Sequence, residues 1–278
     1  MKIKEWKKKS LKILKNIKNS ILDIEIFLSY ILRKPRSWII CFENYILNDK
    51  KLYLLNKLVE KRFYFEPCSY LIQKKEFWSL NFYVTSKTII PRPDSEILVE
   101  RSLKLIKNSS LNILDLGTGC GNIAISIAFS KPKCHLTGID YSYEIIKIAL
   151  YNSINLKIKN INFFCSNWFS FIHKKKYDMI VSNPPYISFK DFIYLKKDIF
   201  FEPFFGLVSK KNGLSDIILI IKYSKNYLNN EGWLLIEHGW NQIKNVQKLF
   251  KKYKYNNIKT YKDYNGINRV TIGQNLNF

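Results

Sequence analysis

The sequence predicts an α/β protein built on a doubly wound, largely parallel sheet. Three observations carry that prediction. From Leu111 onward, β-rich apolar runs alternate with helical patterns, as repeated strand–helix units do. The run Ile113-Leu114-Asp115-Leu116 enters a glycine-dense turn and then a helical stretch, Asn122 to Ala128. The first 70 or so residues carry helical periodicity instead, so a smaller unit precedes the sheet.

The elements follow in chain order. Leu14, Ile17, Ile21, Ile24, Leu28 and Ile31 recur at alternating steps of three and four, one stripe of a helix. Ser20 with Asp23 three residues on resembles a capping box, which predicts two helices broken near Asn19. A further helix starts after Asn48 and carries Leu52, Leu55, Leu58 and Val59. This stripe could serve as a partner-binding face, but it is read first as the core of a small bundle. Glu76 to Val84 alternates aromatic and polar residues on either side of Leu80-Asn81, a short hairpin. Pro91-Arg92-Pro93-Asp94-Ser95-Glu96 caps a helix running to about Lys107. Seven strands are expected near 112–116, 135–139, 161–165, 177–182, 232–237, 255–260 and 268–273, and helices near 121–130, 142–152, 213–229 and 240–251. The expected organisation is a helical unit over 1–72, a linking β-hairpin over 73–90 and a sheet domain over 91–278.

Composition narrows the class. The formal net charge is +24, which points to nucleic acid or another anionic partner. Only six of the 46 basic residues are arginine, however, and the lysines are spread along the chain among abundant Asn and Ile, as coding from an AT-rich genome produces. The five cysteines form no close CxxC pair and the three histidines show no metal-ligand spacing, so reduced thiols and no metal are expected. Asp23 and Glu25 interrupt the apolar stretch from Ile21 to Leu32, and no small-residue cleavage site follows. No apolar run reaches the ~18 residues of a spanning helix. A soluble, cytoplasmic protein with no membrane partner is expected.

Two loops carry the chemistry. Gly117-Thr118-Gly119-Cys120-Gly121 follows the strand ending at Leu116, and glycine there lets the backbone turn sharply and approach a ligand at a helix N-terminus. Asp140 ends the next strand about 20 residues on, where a carboxylate can accept both ribose hydroxyls. The GxGxG spacing differs from the dinucleotide GxGxxG/A pattern. The second loop is Asn183-Pro184-Pro185-Tyr186, after the buried strand Tyr177 to Ser182. Two prolines remove two backbone donors and end the strand. What remains is a rigid loop at a strand's carboxyl end, offering an amide, bare carbonyls and a ring suited to gripping a planar NH2 group.

With Asp115 before the turn, the first loop resembles the S-adenosylmethionine loop of class I methyltransferases. Over nearly its whole length the chain resembles the protein-(glutamine-N5) methyltransferases that modify peptide chain release factors. The resemblance extends to Glu76-Phe77-Trp78-Ser79-Leu80, Ile90 to Glu96, Ser166-Asn167-Trp168-Phe169, Phe201-Glu202-Pro203 and Leu235 to Trp240. The Pro-Arg-Pro-Asp-x-Glu segment is specific to that family, whereas Asn-Pro-Pro-Tyr is shared with amino-methylating DNA and RNA enzymes. The resemblance implies a class I methyltransferase sheet of seven strands with the last antiparallel, and S-adenosyl-L-methionine as cofactor. Gly117, Thr118, Gly119, Cys120 and Gly121 would cradle the methionine part, Asp140 would hold the ribose and Trp168 lie against the adenine, with Asp115 and Asn183 also in the cofactor-binding set. Asn183, Pro184, Pro185 and Tyr186 would receive the substrate glutamine, Asn183, Pro184 and Tyr186 as the catalytic set. The helical unit and hairpin would dock a class 1 release factor. A monomer is expected, and nucleic acid is not required as a partner. Three positions depart from the pattern: Asn167 stands where an acidic residue is common, Gln73 where glycine is and Ser95 where threonine is.

A glutamine amide nitrogen is a poor nucleophile because its lone pair is delocalised into the carbonyl. In the expected mechanism Asn183 Oδ1 and the Pro184 carbonyl each accept one N–H, and Tyr186 packs on the amide plane. Those acceptors also favour the positive charge that develops on nitrogen. His135, His173 and His238 have no required part, and Glu202 and His238 read as structural. The same loop suits the exocyclic amine of adenine or cytosine, so a DNA or RNA amino-methyltransferase acting on adenine N6 is the alternative.

Overall fold

The computed structural model describes residues 1–107, 110–170 and 175–276; His173 lies outside them. The chain divides into two compact units, Met1–Lys74 with Lys196–Phe201, and Lys75–Leu195 with Glu202–Phe278.

The first unit holds helices α1 (Ile3–Ile13), α2 (Ser20–Leu32), α3 (Arg36–Cys41), α4 (Asp49–Phe63) and α5 (Cys68–Leu71). Asn19 breaks the chain at φ +65°, and the Asn48 side chain caps α4 by accepting from Lys51 N at 2.9 Å. The capping box expected at Ser20 does not form: Asn19 is the N-cap, with no side-chain cap, and Asp23 is drawn instead to Arg62 Nε at 2.7 Å. Leu14 and Ile17 are buried in the α1–α2 connection, not in a helix, while Ile24 and Leu28 pack beside Trp6, Phe27 and Leu55. Ile21 departs from the expected stripe and is 59% exposed, because the break resets the helical phase. Gln73 adopts φ +53°, a conformation glycine takes without strain.

Strands β1 (Lys74–Phe77) and β2 (Leu80–Tyr83) come next, all but Lys74 belonging to the second unit. The hairpin turn is Trp78-Ser79, at φ +52° and +57°, rather than the expected Leu80-Asn81, which start β2. Tertiary contacts set it there: Trp78 N donates to Glu96 Oε1 at 2.8 Å, and its indole to Ser130 Oγ at 3.1 Å. A 3-10 turn, Pro93–Ser95, leads into α6 (Glu96–Leu105).

The sheet comprises β3 (Asn112–Leu116), β4 (His135–Asp140), β5 (Ile161–Cys165), β6 (Tyr177–Ser182), β7 (Leu228–Glu237), β8 (Asn256–Lys262) and β9 (Asn268–Gln274), in the order β5-β4-β3-β6-β7-β9-β8. The pairs from β5 across to β7 are parallel, and β9 inserts antiparallel to both β7 and β8. Helices α7 (Asn122–Ser130), α8 (Tyr143–Asn155), α12 (Ser215–Tyr227) and α13 (Ile243–Lys252) fall where the helical patterns were read. Three one-turn helices, α9 (Phe189–Phe192), α10 (Phe204–Leu207) and α11 (Lys210–Gly213), lie between β6 and α12; each is too short for periodicity to reveal. Strand β7 begins four residues earlier than expected, beyond the register shift at Tyr177/Met179 and past Glu231 at φ +62°. One core joins Leu114, Ile180, Leu234 and Ile236 of the strands to Ile217, Ile221 and Phe250 of α12 and α13. This doubly wound sheet presents the carboxyl ends of β3, β4 and β6 side by side, the edge where such folds bind ligands.

Candidate active site

The glycine turn after β3 is pinned to the neighbouring strand. Gly117 N and Thr118 N both donate to the Ile139 carbonyl, at 2.9 and 2.8 Å, and Gly121 N closes back on Thr118 O. Gly117, Gly119 and Gly121 take φ +74°, +56° and +84°, so three side chains would be strained in this turn. Their surroundings differ. A Cβ on Gly119 would meet nothing within 4 Å, whereas one on Gly121 would lie 2.8 Å from Ile125 Cδ1. At Gly121 the left-handed φ is thus joined by close neighbours, Ala149 Cβ and Phe163 Cζ at 3.3 Å as well as the movable Ile125 Cδ1. Asn152 of α8 supports the turn from behind, donating to Cys120 O at 2.9 Å and to Tyr83 O at 3.0 Å.

Asp140 ends β4 with its carboxylate against the turn: Oδ2 accepts from Gly119 N and Oδ1 from Tyr141 N, each at 2.9 Å. Burial raises its pKa against those backbone donors. Both oxygens keep lone pairs for further donors. Asp115 lies deeper, fully buried, with Oδ2 accepting from the Thr118 hydroxyl at 2.7 Å. Burial pushes its carboxyl up to about 7. The Cys120 thiol is buried and pushed up to about 12, which leaves it an inert apolar wall.

The loop after β6 is held from several sides. Ser182 hydroxyl donates to Leu116 O at 2.7 Å, tying the strand end to the glycine turn. Asn183 Nδ2 donates to Ser95 Oγ at 3.0 Å. Tyr186 hydroxyl donates to Glu237 Oε1 at 3.1 Å, and Gln242 Nε2 donates to the Tyr186 carbonyl at 2.9 Å. Burial raises the Tyr186 phenol well above its ordinary range.

One cavity of about 480 Å³ joins both loops. Gly117, Thr118, Gly119, Cys120, Asp140, Trp168, Asn183 and Pro185 line it, with Ile123, Ile139 and Ile145 as apolar wall. Asp115, Gly121, Pro184 and Tyr186 do not line it. The first two support the turn from beneath, Pro184 is buried, and Tyr186 is turned toward Glu237. Trp168, at φ +49°, sets its ring where a Cβ on Gly117 would touch it at 3.5 Å, and Asn167 beside it is exposed.

The sequence reading did not anticipate the wall from Lys87 to Arg92 or the contribution of Phe205 and Gly206. Glu202 shapes that wall, accepting from Ile90 N at 3.0 Å and pairing with Arg92. It is therefore structural in this site, as is His238, fully buried between the Gly239 carbonyl and Thr271 Oγ1. His135 is exposed at the start of β4. The role of Glu237 was also missed; its motif was noted, but only the register of β6 with β7 reveals that it sits beside Asn183.

Comparisons with known proteins place the chain among methyltransferases. A methyltransferase domain family matches residues 107–275. The release factor glutamine methyltransferase of Buchnera aphidicola subsp. Acyrthosiphon pisum is 51% identical over 99% of both chains. Its counterpart in Escherichia coli K12 is 37% identical, again over 99% of each. Among solved structures, a methyltransferase from Pyrococcus furiosus superposes with a TM-score of 0.56 at 18% identity, covering 73% of this chain and 92% of that one, a likeness of fold. With a shared sheet, a shared domain and identity sustained from end to end, the chain belongs to the release factor glutamine methyltransferase family.

Proposed function

We propose that this chain transfers a methyl group from S-adenosyl-L-methionine to the side-chain amide nitrogen of a glutamine, that of the GGQ motif, in a class 1 peptide chain release factor. The observation that carries the reading is that Asn183 borders the same cavity as Gly119, Asp140 and Trp168. An amide acceptor and a nucleoside-sized site are thereby adjacent.

The residues present fit the cofactor. Open space above Gly119, a buried carboxylate with spare lone pairs, an indole face and isoleucine walls match a charged amino-acid tail, a ribose and an adenine. The volume lies within the ordinary range of small-ligand sites. Gly117 and Gly119 would admit the methionine part, Asp140 the ribose and Trp168 the adenine. When bound, S-adenosylmethionine supplies an electrophilic methyl group on a sulfonium centre.

The chain's own residues supply position and polarity. Asn183 Oδ1, which borders the cavity, accepts one N–H of the substrate amide, and the Pro184 carbonyl, set behind the cavity lining in this structure, would accept the other, orienting the nitrogen and leaving one face of it open. Both are partial negative charges placed before the nitrogen becomes positive, so they act more strongly as the reaction proceeds. Ordered placement alone can lower a barrier by about 7–11 kcal/mol. The nitrogen's extra proton passes to solvent water after the new N–C bond forms, so no side-chain base is needed beforehand. The helical unit docks the release factor.

The test is incubation with methyl-labelled S-adenosylmethionine and either a class 1 release factor or nucleic acid. Label on a single glutamine-bearing peptide is expected. Label on nucleic acid alone would overturn the reading in favour of adenine N6 chemistry.

A further inference from the structure

Asn183 has a carboxamide whose two ends differ little in shape but are opposite in hydrogen bonding. Oδ1 accepts, and Nδ2 donates. Rotated by half a turn, the same side chain would meet a substrate NH2 group with its own NH2 group. The proposed chemistry therefore needs something that distinguishes the two ends.

Ser95 is placed to do so. It closes the 3-10 turn before α6, is 1% exposed, and its Oγ accepts from Asn183 Nδ2 at 3.0 Å. A hydroxyl has one proton, and the direction of this bond depends on where that proton goes. The register of the sheet brings a suitable acceptor alongside: Ser182 pairs with Ile236, so Asn183 and Glu237 leave β6 and β7 side by side. Glu237 is 1% exposed, and Oε1 already accepts from Tyr186. Its other oxygen, Oε2, is buried without a hydrogen-bond partner in normal geometry among the described residues. A buried orphan carboxylate oxygen is costly, so a neighbouring hydroxyl turns its proton toward it. Burial pushes the Glu237 carboxyl up to about 7, against the Ser95 hydroxyl, Arg269 and Tyr186, each of which favours the charged form.

We propose that Ser95, with its proton directed at Glu237, is a positioning residue that fixes the rotation of the Asn183 amide so that Oδ1 faces the substrate. A hydroxyl whose proton is engaged can only accept, and Asn183 must then present Nδ2 to it. The carboxylate of Glu237 thus acts on two side chains of the loop after β6, on Asn183 through Ser95 and on Tyr186 directly. This inference rests on the proposed function.

The experiment compares wild type, Ser95→Ala, Ser95→Cys and Ser95→Thr with labelled S-adenosylmethionine and release factor, and measures cofactor binding separately by calorimetry. Ser95→Ala should lower kcat by roughly tenfold to a hundredfold with cofactor Kd within twofold of wild type. Ser95→Thr retains the hydroxyl and should recover kcat to within roughly threefold. Ser95→Cys, close in size with only a weak S–H donor, should lose kcat like alanine and serves should the alanine variant unfold. A merely structural serine would move Tm and leave kcat per folded molecule unchanged. Full kcat in Ser95→Ala, a matching loss in cofactor binding, or a threonine variant as poor as alanine would overturn the proposal. A wild-type chain that does not label the release factor would instead sink the functional reading itself.

Discussion

Tyr186 and Glu237 are joined by a 3.1 Å hydrogen bond that fastens the loop after β6 to the end of β7. The bond serves two ends. It gives a buried carboxylate a donor, and it holds the phenol ring against rotation. Tyr186→Phe keeps the ring and removes only the donor. Stability should fall by about 1–3 kcal/mol, the cost of depriving a buried acceptor. A thermal scan should show Tm lower by several degrees, while Tyr186→Ala should cost more in kcat than Tyr186→Phe does. Equal kcat in the two variants would argue against any part for the ring.

Asn183 and Asp140 border one cavity but answer to different ligands. Asn183→Ala should lower kcat by roughly 10²–10³-fold, the usual effect of removing one preorganised group from the reacting centre, with little change in cofactor affinity. Asp140→Ala should do the reverse. Hydrogen bonds to a charged group contribute about 1.5–3 kcal/mol, so cofactor Kd should rise by roughly tenfold to a hundredfold. Calorimetry with cofactor alone, set beside steady-state rates, separates the two. Equal losses in both quantities for Asn183→Ala would contradict its placement at the substrate.

Asp115 makes stability depend on pH in a sense unusual for a carboxylate. Burial raises its pKa from 3.8 to about 7, so the folded protein holds a proton that the unfolded chain has lost. The stability this contributes is complete below about 3.8 and is lost as pH rises to about 7. Asp115→Asn has no proton to lose. Relative to wild type it should therefore gain about 2–3 kcal/mol between pH 5 and pH 8, at about 1.4 kcal/mol per pKa unit. Paired thermal melts at the two pH values measure it. A difference that stays constant would mean that Asp115 ionises normally in the fold.

The sheet was legible because each of its strands writes a local pattern. Apolar runs at Ile113, Leu136 and Met179 mark β3, β4 and β6, and glycine and proline mark where the first and last of these stop. The two loops could be read for the same reason. The supports of the site could not. Asn183 and Ser95 are 88 positions apart, and nothing local to either indicates that one accepts from the other. The failed capping box has a similar cause: Ser20 and Asp23 have the right spacing, but Arg62, distant in sequence, claims the carboxylate. Turn propensity likewise lost to tertiary contact at Trp78, which takes a left-handed conformation because Glu96 and Ser130 hold it there.

Gly213 offers a test of how tightly the loop after β6 must be held. It sits at φ +80°, and a Cβ there would lie 2.1 Å from the Tyr186 carbonyl oxygen and 2.7 Å from Gln242 Nε2. Gly213→Ala therefore carries left-handed strain of about 1–2 kcal/mol and must also push the Tyr186 backbone aside. Gly266 is a matched control, since its φ is +79° and a Cβ would meet nothing within 4 Å. Gly266→Ala should show the strain alone, with kcat unchanged. Gly213→Ala should lose more stability and at least roughly tenfold in kcat, because a displacement on the order of 1 Å at a reacting centre is enough for a loss of that size. Two alanine variants with the same kcat would mean that the loop tolerates displacement, and that Tyr186 need not be held where it lies.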